Sequence, residues 1–169
     1  THEVAYGSVL QERRRALHGR IVQAIESLYP DRLNEQVELL AHHALRGELW
    51  ENAVTCLHQS GRKAAARSAY KEAESYFDQA LKALKHLPED RKSLERAIDL
   101  RIDLGPALIA MKGFSAPEVE QTYNQARQLC ERLGETPPLF PVLWGLSRVH
   151  NYCGGTQAAR ELGAAPRHR

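Results

Sequence analysis

The stretch WENAVTCLHQSGRKAAARSAYKEAESYFDQALKAL, residues 50–84, decides the fold. Its apolar residues recur every three or four positions, which is the spacing of one face of a helix, and the pattern restarts near Tyr70. The first helix carries Gly61, and the second carries Ala73, Phe77 and Ala80 at spacings of four and three. A glycine inside a helix costs about 1 kcal/mol relative to alanine. Gly61 therefore predicts a close approach between two paired helices.

The same arrangement recurs along the chain. Successive glycines at 19, 61, 105 and 145 are 42, 44 and 40 residues apart. Each is followed by a helix with a small, large, small triplet, namely Val37-Ala41-Ala44, Ala73-Phe77-Ala80, Val119-Tyr123-Ala126 and Ala158-Leu162-Ala165. A single hairpin is too small to bury its apolar stripe alone, so stacking is the physical solution. The pattern predicts an all-α protein of eight helices, arranged as about four hairpins in a right-handed α-α superhelix.

The hairpin at residues 50–84 resembles the tetratricopeptide repeat, most clearly in Gly61, Ala64, Ala73, Phe77 and Ala80. Repeats of that family are about 34 residues long, so the units of this chain are lengthened. The resemblance implies a tetratricopeptide-like solenoid whose first helices line a concave groove. Residues 1–30 are predicted to form a junction and the first helix, residues 31–163 the repeats, and residues 164–169 a polar, disordered tail.

A second resemblance concerns the junction. Thr1–Tyr6 and Arg13–His18 look like the segment that leads into the helical arm of large bacterial signalling ATPases, and Leu104–Leu108, Lys112–Phe114 and Leu143–Leu146 are similar to that arm. Those proteins are of the maltose-regulator type or carry an adenylate or guanylate cyclase domain. The resemblance implies a regulatory arm for signal transduction that controls an upstream ATPase domain.

Several local features add expectations about individual helices. The first helix is predicted to end before Pro30 and the second at Gly47. Pro106 is predicted to kink the fifth helix and Ser115 to cap the sixth. The buried face of the first helix is predicted to consist of Leu10, Leu17, Ile21, Ala24 and Leu28.

Composition narrows the classes of function. The formal charge of +2 gives no global attraction to nucleic acid, and no run approaches the roughly 18 apolar residues of a membrane-spanning helix. Three dispersed cysteines argue against a disulfide framework, which favours a reducing cytoplasm. The sequence therefore indicates a cytoplasmic protein without a membrane partner.

Catalytic motifs are missing from the sequence. It contains no phosphate-binding loop, cyclase motif or nucleophilic triad spacing, so we expect no enzymatic activity and no cofactor from these residues. His42, His43, Cys56 and His58 offer metal-ligating atoms, but the two adjacent histidines point about 100° apart on a helix. No metal site is predicted.

The predicted groove is the candidate binding site. Counting from the repeat glycines places eight residues on it, namely Thr55, His58, Arg62, Asp99, Ile102, Ile109, Val142 and Leu146. Its basic end and its apolar end suit an acidic or amphipathic peptide of a protein partner, or a small-molecule inducer. The alternative interpretation is that Ile109 and Leu146 are core residues that pack between helices and do not contact a ligand.

Two other functions stay open. In the first alternative, the array is a scaffold that forms a homodimer through its terminal face, around Val149 and Leu162. A DNA-associated regulator would use Arg13, Arg14 and Arg15, but Glu12 and Glu26 flank this cluster and no aromatic residue is interleaved with it. The arginines are better explained as part of a solvent-exposed face, or of a face that docks on the upstream domain, than as a DNA-binding site.

Overall fold

The computed structural model describes residues 2–134 together with Val142, Trp144, Gly145 and Ser147, and side chains from Leu10 onward. Two compact units, residues 1–93 and 94–169, make up the chain. Within the described residues all regular structure is helical: α1 His2–Leu28, a 3₁₀ helix Pro30–Glu35, α2 Val37–Arg46, α3 Trp50–Ala66, α4 Tyr70–Leu84, α5 Arg91–Lys112 and α6 Pro117–Leu133. The predicted all-α class is confirmed. No described helix has both the length and the apolar character needed to cross a membrane.

The hairpin α3–α4 is built around the contact that its glycine predicted. A Cβ atom added to Gly61 would lie only 2.5 Å from Cε1 of Phe77, whose side chain is completely buried. Ala53, Leu57, Ala73 and other small or branched residues complete the core on both sides. The aromatic ring thus fills the space that the missing side chain leaves, and α3 packs closely on α4.

Helix α2 packs on the other side of α3, and α1 packs on α2. The predicted triplet of α2 is confirmed, because Val37, Ala41 and Ala44 are all buried; Leu40 is buried beside them, and Leu45 is half-buried. The turns that lead from α2 to α3 and from α3 to α4 are alike: Glu48 and Ser68 have φ values of 54° and 62°. The amide after each residue donates to a carbonyl near the end of the preceding helix, Leu49 to Ala44 and Ala69 to Ala64, both at 2.9 Å.

The predicted buried face of α1 was wrong. Leu10, Leu17 and Leu28 are 50, 56 and 71% exposed, Ala24 is exposed, and Ile21 is half-buried. The residues that enter the core are instead Val22 and Ile25. At 100° per residue they lie about 90° around the helix from the leucine stripe. Periodicity therefore located the helix, and its end at Leu28, but not the side that faces α2.

In the second unit, Tyr123 of α6 occupies the place that Phe77 has in the first. Added Cβ atoms on Gly105 and Gly145 would lie 2.3 and 2.5 Å from atoms of Tyr123, so both glycines adjoin its ring. The prediction of close approach is confirmed at both positions. Arg101 Nε also donates to Gln125 Oε1 at 3.2 Å, which links α5 to α6.

The remaining predictions for this unit concern the start of α6, the proline in α5 and the segments after residue 134. Ala116, with extended backbone, is the residue before α6, and Pro117 is its first residue. Ser115 is therefore not the cap, because the proline fixes the helical start one residue later. Pro106 lies inside the continuous helix α5. The predicted eighth helix and the polar tail at 164–169 lie outside the described residues, and the seventh is described only at four positions, of which all are helical.

Candidate binding cleft

A cleft of about 610 Å³ opens on the first unit. Four elements supply its walls: Glu26 comes from α1, Leu33 and Asn34 from the 3₁₀ helix, Leu40 from α2, and the rest from α3. The α3 wall consists of Glu51, Asn52, Thr55, Cys56 and Gln59. These positions share one side of a helix, because they are spaced by one and three residues in turn.

Hydrogen bonds hold the walls in position. Asn52 Nδ2 donates to Glu26 Oε1 at 3.1 Å, which joins α3 to α1 across the cleft. Lys63 Nζ donates to the Asn34 carbonyl at 3.4 Å and to Glu38 Oε2 at 3.0 Å, which ties α3 to the 3₁₀ helix and to α2. These three hydrogen bonds join residues that are more than twenty positions apart in the sequence, so only the fold brings them together.

The polar lining of the cleft is rich in hydrogen-bond acceptors. Its two ionisable carboxylates are Glu26 and Glu51, and Lys92 Nζ lies 3.6 Å from Glu51 Oε1. The Thr55 hydroxyl donates its proton to the Glu51 carbonyl at 3.0 Å, so toward a ligand it offers lone pairs. Carboxylate oxygens only accept when ionised. The lining therefore suits a group that donates hydrogen bonds or carries positive charge.

Cys56 is the chemically reactive side chain of the lining, yet its surroundings suppress reactivity. Burial, and secondarily the Glu26 carboxylate, raises the pKa of the Cys56 thiol to about 11. A thiolate is the nucleophilic form, so this group stays protonated and inert near neutral pH. The Cys56 thiol is therefore not suited to act as a nucleophile at neutral pH.

The predicted groove residues of the first unit all lie on α3. Thr55 lines the cleft, whereas His58 and Arg62 are not among its lining residues. The His58 ring is half-buried, with its centroid 6.0 Å from that of Phe77 and the ring planes inclined at 70°. Arg62 is exposed. The basic character predicted for this end of the groove is thus absent from the cleft, whose charged lining residues are acidic.

The remaining predicted groove residues belong to the second unit. Asp99 is exposed, and Ile102 and Ile109 are half-buried, all on α5. Val142 is completely buried, so it is a core residue and not a surface for a ligand. Leu146 lies outside the described residues.

Sequence reasoning missed Glu26, Asn34, Asn52 and Gln59. Glu26 was read only as a charge that flanks the arginine cluster, and the 3₁₀ helix was not predicted. One local signal was available, since Pro30 followed by Asp31 is a typical helix start. Among the described residues, no group of three or more metal-ligating side chains is arranged to hold an ion.

Comparison with known proteins gives one relative. Over 145 residues, or 85% of the chain, the sequence is 29% identical to an uncharacterized protein of Rhizobium meliloti (strain 1021). The chain spans about 14% of the length of that relative. No protein-family model matches the chain. No solved structure matches it either.

Proposed function

We propose that this chain is a non-catalytic, tetratricopeptide-like repeat module that binds a partner through the cleft of its first unit. The observation that carries the proposal is the cleft itself, whose acceptor-rich walls come from four consecutive elements. Helical repeats commonly bind partners on surfaces that several repeats share. The recurring contact between a glycine and an aromatic ring, Gly61 with Phe77 and Gly105 with Tyr123, supports the repeat architecture.

The chemistry of the lining selects the partner. A segment with lysine or arginine side chains would place donors against the carboxylates of Glu26 and Glu51 and against the lone pairs of Thr55. Acidic peptides, which the sequence alone favoured, would meet like charge. The preferred ligand is therefore a basic protein segment or a small molecule with an amine.

The wider role is that of a regulatory arm in a signalling ATPase or cyclase protein. It is supported by the resemblance of the residues at 1–18 and 104–146 to such arms. A relative about seven times longer than the matched region is compatible with a module inside a larger protein, since 14% of its length is matched. Binding at the cleft would then be the signal that the arm transmits to its neighbouring domain.

A random-peptide display library panned on the purified chain tests the binding function. We expect enriched peptides to be basic, and the double variant Glu26→Gln, Glu51→Gln to bind them at least about tenfold more weakly, as for loss of charged hydrogen bonds. The double variant Glu120→Gln, Glu131→Gln changes the same net charge on exposed positions of α6 and should bind normally. Absence of enrichment, or equal loss in both variants, would contradict the proposal.

Self-association is the second candidate, and one observation favours it. Leu10, Leu17 and Leu28 form an exposed apolar stripe along α1, which a second copy would bury. The terminal face predicted around Val149 and Leu162 lies outside the described residues. Light scattering after size-exclusion chromatography should then show a dimer that Leu10→Glu with Leu17→Glu converts to a folded monomer. A monomeric unmodified chain would remove this candidate.

A further inference from the structure

Three histidines meet where α1 packs on α2. The ring centroid of His18 lies 5.0 Å from that of His43 and 6.3 Å from that of His42, and the two α2 rings are 5.2 Å apart. Nδ1 of His18 and Nδ1 of His43 are 2.8 Å apart, a hydrogen bond between the two helices. Sequence analysis considered His42 and His43 only as metal ligands and did not connect them with His18.

The backbone around the cluster leaves little freedom to adjust. A Cβ atom added to Gly47 would lie 3.2 Å from the Gly19 amide nitrogen and 3.4 Å from His18 Cβ, so the end of α2 is in close contact with α1. Among the α1 side chains that the structure describes, from Leu10 onward, the buried apolar ones are Val22 and Ile25. The imidazole cluster therefore adds a polar, titratable contact to a small apolar one.

The charges that surround the cluster are mostly positive. Arg14 and Arg15 of α1 and Arg46 of α2 line a small adjoining cleft with Glu48, and Glu48 pairs with Arg15 at 2.6 Å. The other elements that pack on α2 contribute charged groups that are in ion pairs. Lys63 of α3 pairs with Glu38, and Arg32 pairs with Glu35 in the 3₁₀ helix. Both carboxylates are already engaged by cations.

The hydrogen bond between His18 and His43 depends on protonation. A neutral imidazole has one nitrogen that donates and one that accepts, whereas an imidazolium donates from both. A bond between two Nδ1 atoms requires one of them to be without a proton. When both rings are charged, the bond becomes a contact between two donors with like charge, next to three arginines.

We propose that His18, His42 and His43 form a proton-sensitive latch, which holds α1 on α2 near neutral pH and releases it on acidification. Histidine titrates in the range where such a latch would act. Burial, and then the charges of His18, His42 and Arg46, lowers the pKa of His43 below its ordinary value of 6.5. Below that pH the released state, in which His43 regains its ordinary pKa, therefore binds more protons than the docked state, so acidification favours release, and docking is fully stable above it.

The latch would also control the binding cleft. Glu26 lies on α1 eight residues after His18, and its bond to Asn52 forms one wall of the cleft. Release of α1 withdraws this carboxylate and lowers the affinity for a basic ligand. This consequence rests on the proposed function, whereas the latch itself can be measured without any ligand.

Hydrogen exchange with mass spectrometry at pH 7.5 and 5.5, corrected for intrinsic exchange rates, tests the latch. Uptake of one proton on opening raises the opening constant by up to about tenfold per pH unit. We expect protection of α1 amides at residues 15–28 to fall several-fold at pH 5.5, while α3 is unchanged. His43→Gln, which cannot titrate, should abolish the difference. His86→Gln, which alters a ring stacked on Trp50 outside the cluster, should keep it.

Equal protection of α1 at both pH values, or a persistent difference in His43→Gln, would overturn the proposal. If His43→Gln does not fold, as judged by lost protection in α3, the ring signals of the unmodified chain in an NMR titration decide instead. Coupled titration of His18 and His43 supports the latch. Independent titration of each ring overturns it. Neither the hydrogen-exchange experiment nor the NMR titration needs a bound peptide. Failure to find a ligand for the cleft therefore does not affect the test of the latch.

Discussion

The contacts α3–α4 and α1–α2 bring two helices together by opposite means. In the first, Phe77 fills the space above Gly61, and the interface is apolar and fully buried. In the second, the backbones meet at Gly47, and the side chains across the contact include imidazoles and arginines. An apolar contact contributes the same free energy at any pH, whereas a contact of titratable rings changes with proton concentration. The difference teaches that one helical chain can combine a contact that is independent of pH, here called the permanent joint, with a contact that we propose to respond to pH, here called the adjustable joint.

The largest effect should follow removal of the aromatic ring from the permanent joint. Phe77→Ala deletes a completely buried side chain, for which a loss of about 3–5 kcal/mol in the free energy of unfolding is typical. Urea unfolding followed by circular dichroism measures it. Tyr76→Ala, at a half-buried position on the same helix, should cost clearly less. Similar losses for both variants would show that the contact with Gly61 has no special weight.

A smaller loss is expected when the space above Gly61 is filled. Gly61→Ala places a Cβ atom 2.5 Å from Cε1 of Phe77, and the buried ring must shift. Overpacking costs about 1–3 kcal/mol, partly offset by the better helix propensity of alanine. We expect a net loss of unfolding free energy in the same urea assay. The double variant Gly61→Ala, Phe77→Leu should recover part of it, because the smaller side chain relieves the clash.

The sequence predicted one of these two joints and missed the other, because only the first follows from local spacing. Gly61 and Phe77 lie sixteen positions apart within one hairpin, so their contact follows from helical spacing and a short turn. The contact at Gly47 was not predicted, because Gly47 was read only as the end of α2. The packed side of α1 was also wrong, since its exposed leucines have the same periodicity as a core stripe. Local patterns specify helices, but not which surface meets another helix.

The cleft shows the same limit on what a local sequence pattern can predict. Thr55 was predicted from its position relative to Gly61, and it does line the cleft. Glu26 and Asn34 enter from α1 and the 3₁₀ helix, and their distance from α3 in the sequence is more than fifteen residues. Their charge and hydrogen-bonding capacity are the reason for proposing a basic ligand, whereas the sequence alone predicted an acidic or amphipathic peptide. A site built from several elements therefore cannot be read from one helix alone.

The smallest effect, and one of opposite sign, is expected in the adjustable joint. Gly19 was aligned with Gly61 in the sequence, yet an added Cβ atom there meets nothing within 4 Å. Gly19→Ala should therefore gain helix propensity without a clash, which stabilises the chain by up to about 1 kcal/mol. Gly47→Ala is the matched control, because its Cβ atom would meet the Gly19 amide nitrogen at 3.2 Å and should destabilise the chain. If Gly19→Ala destabilises as Gly61→Ala does, the two joints are alike and the distinction between them fails. If Gly19→Ala stabilises the chain, Gly19 and Gly61 have different physical roles although they occupy equivalent positions in the sequence pattern. The close approach of α1 and α2 is then due to Gly47.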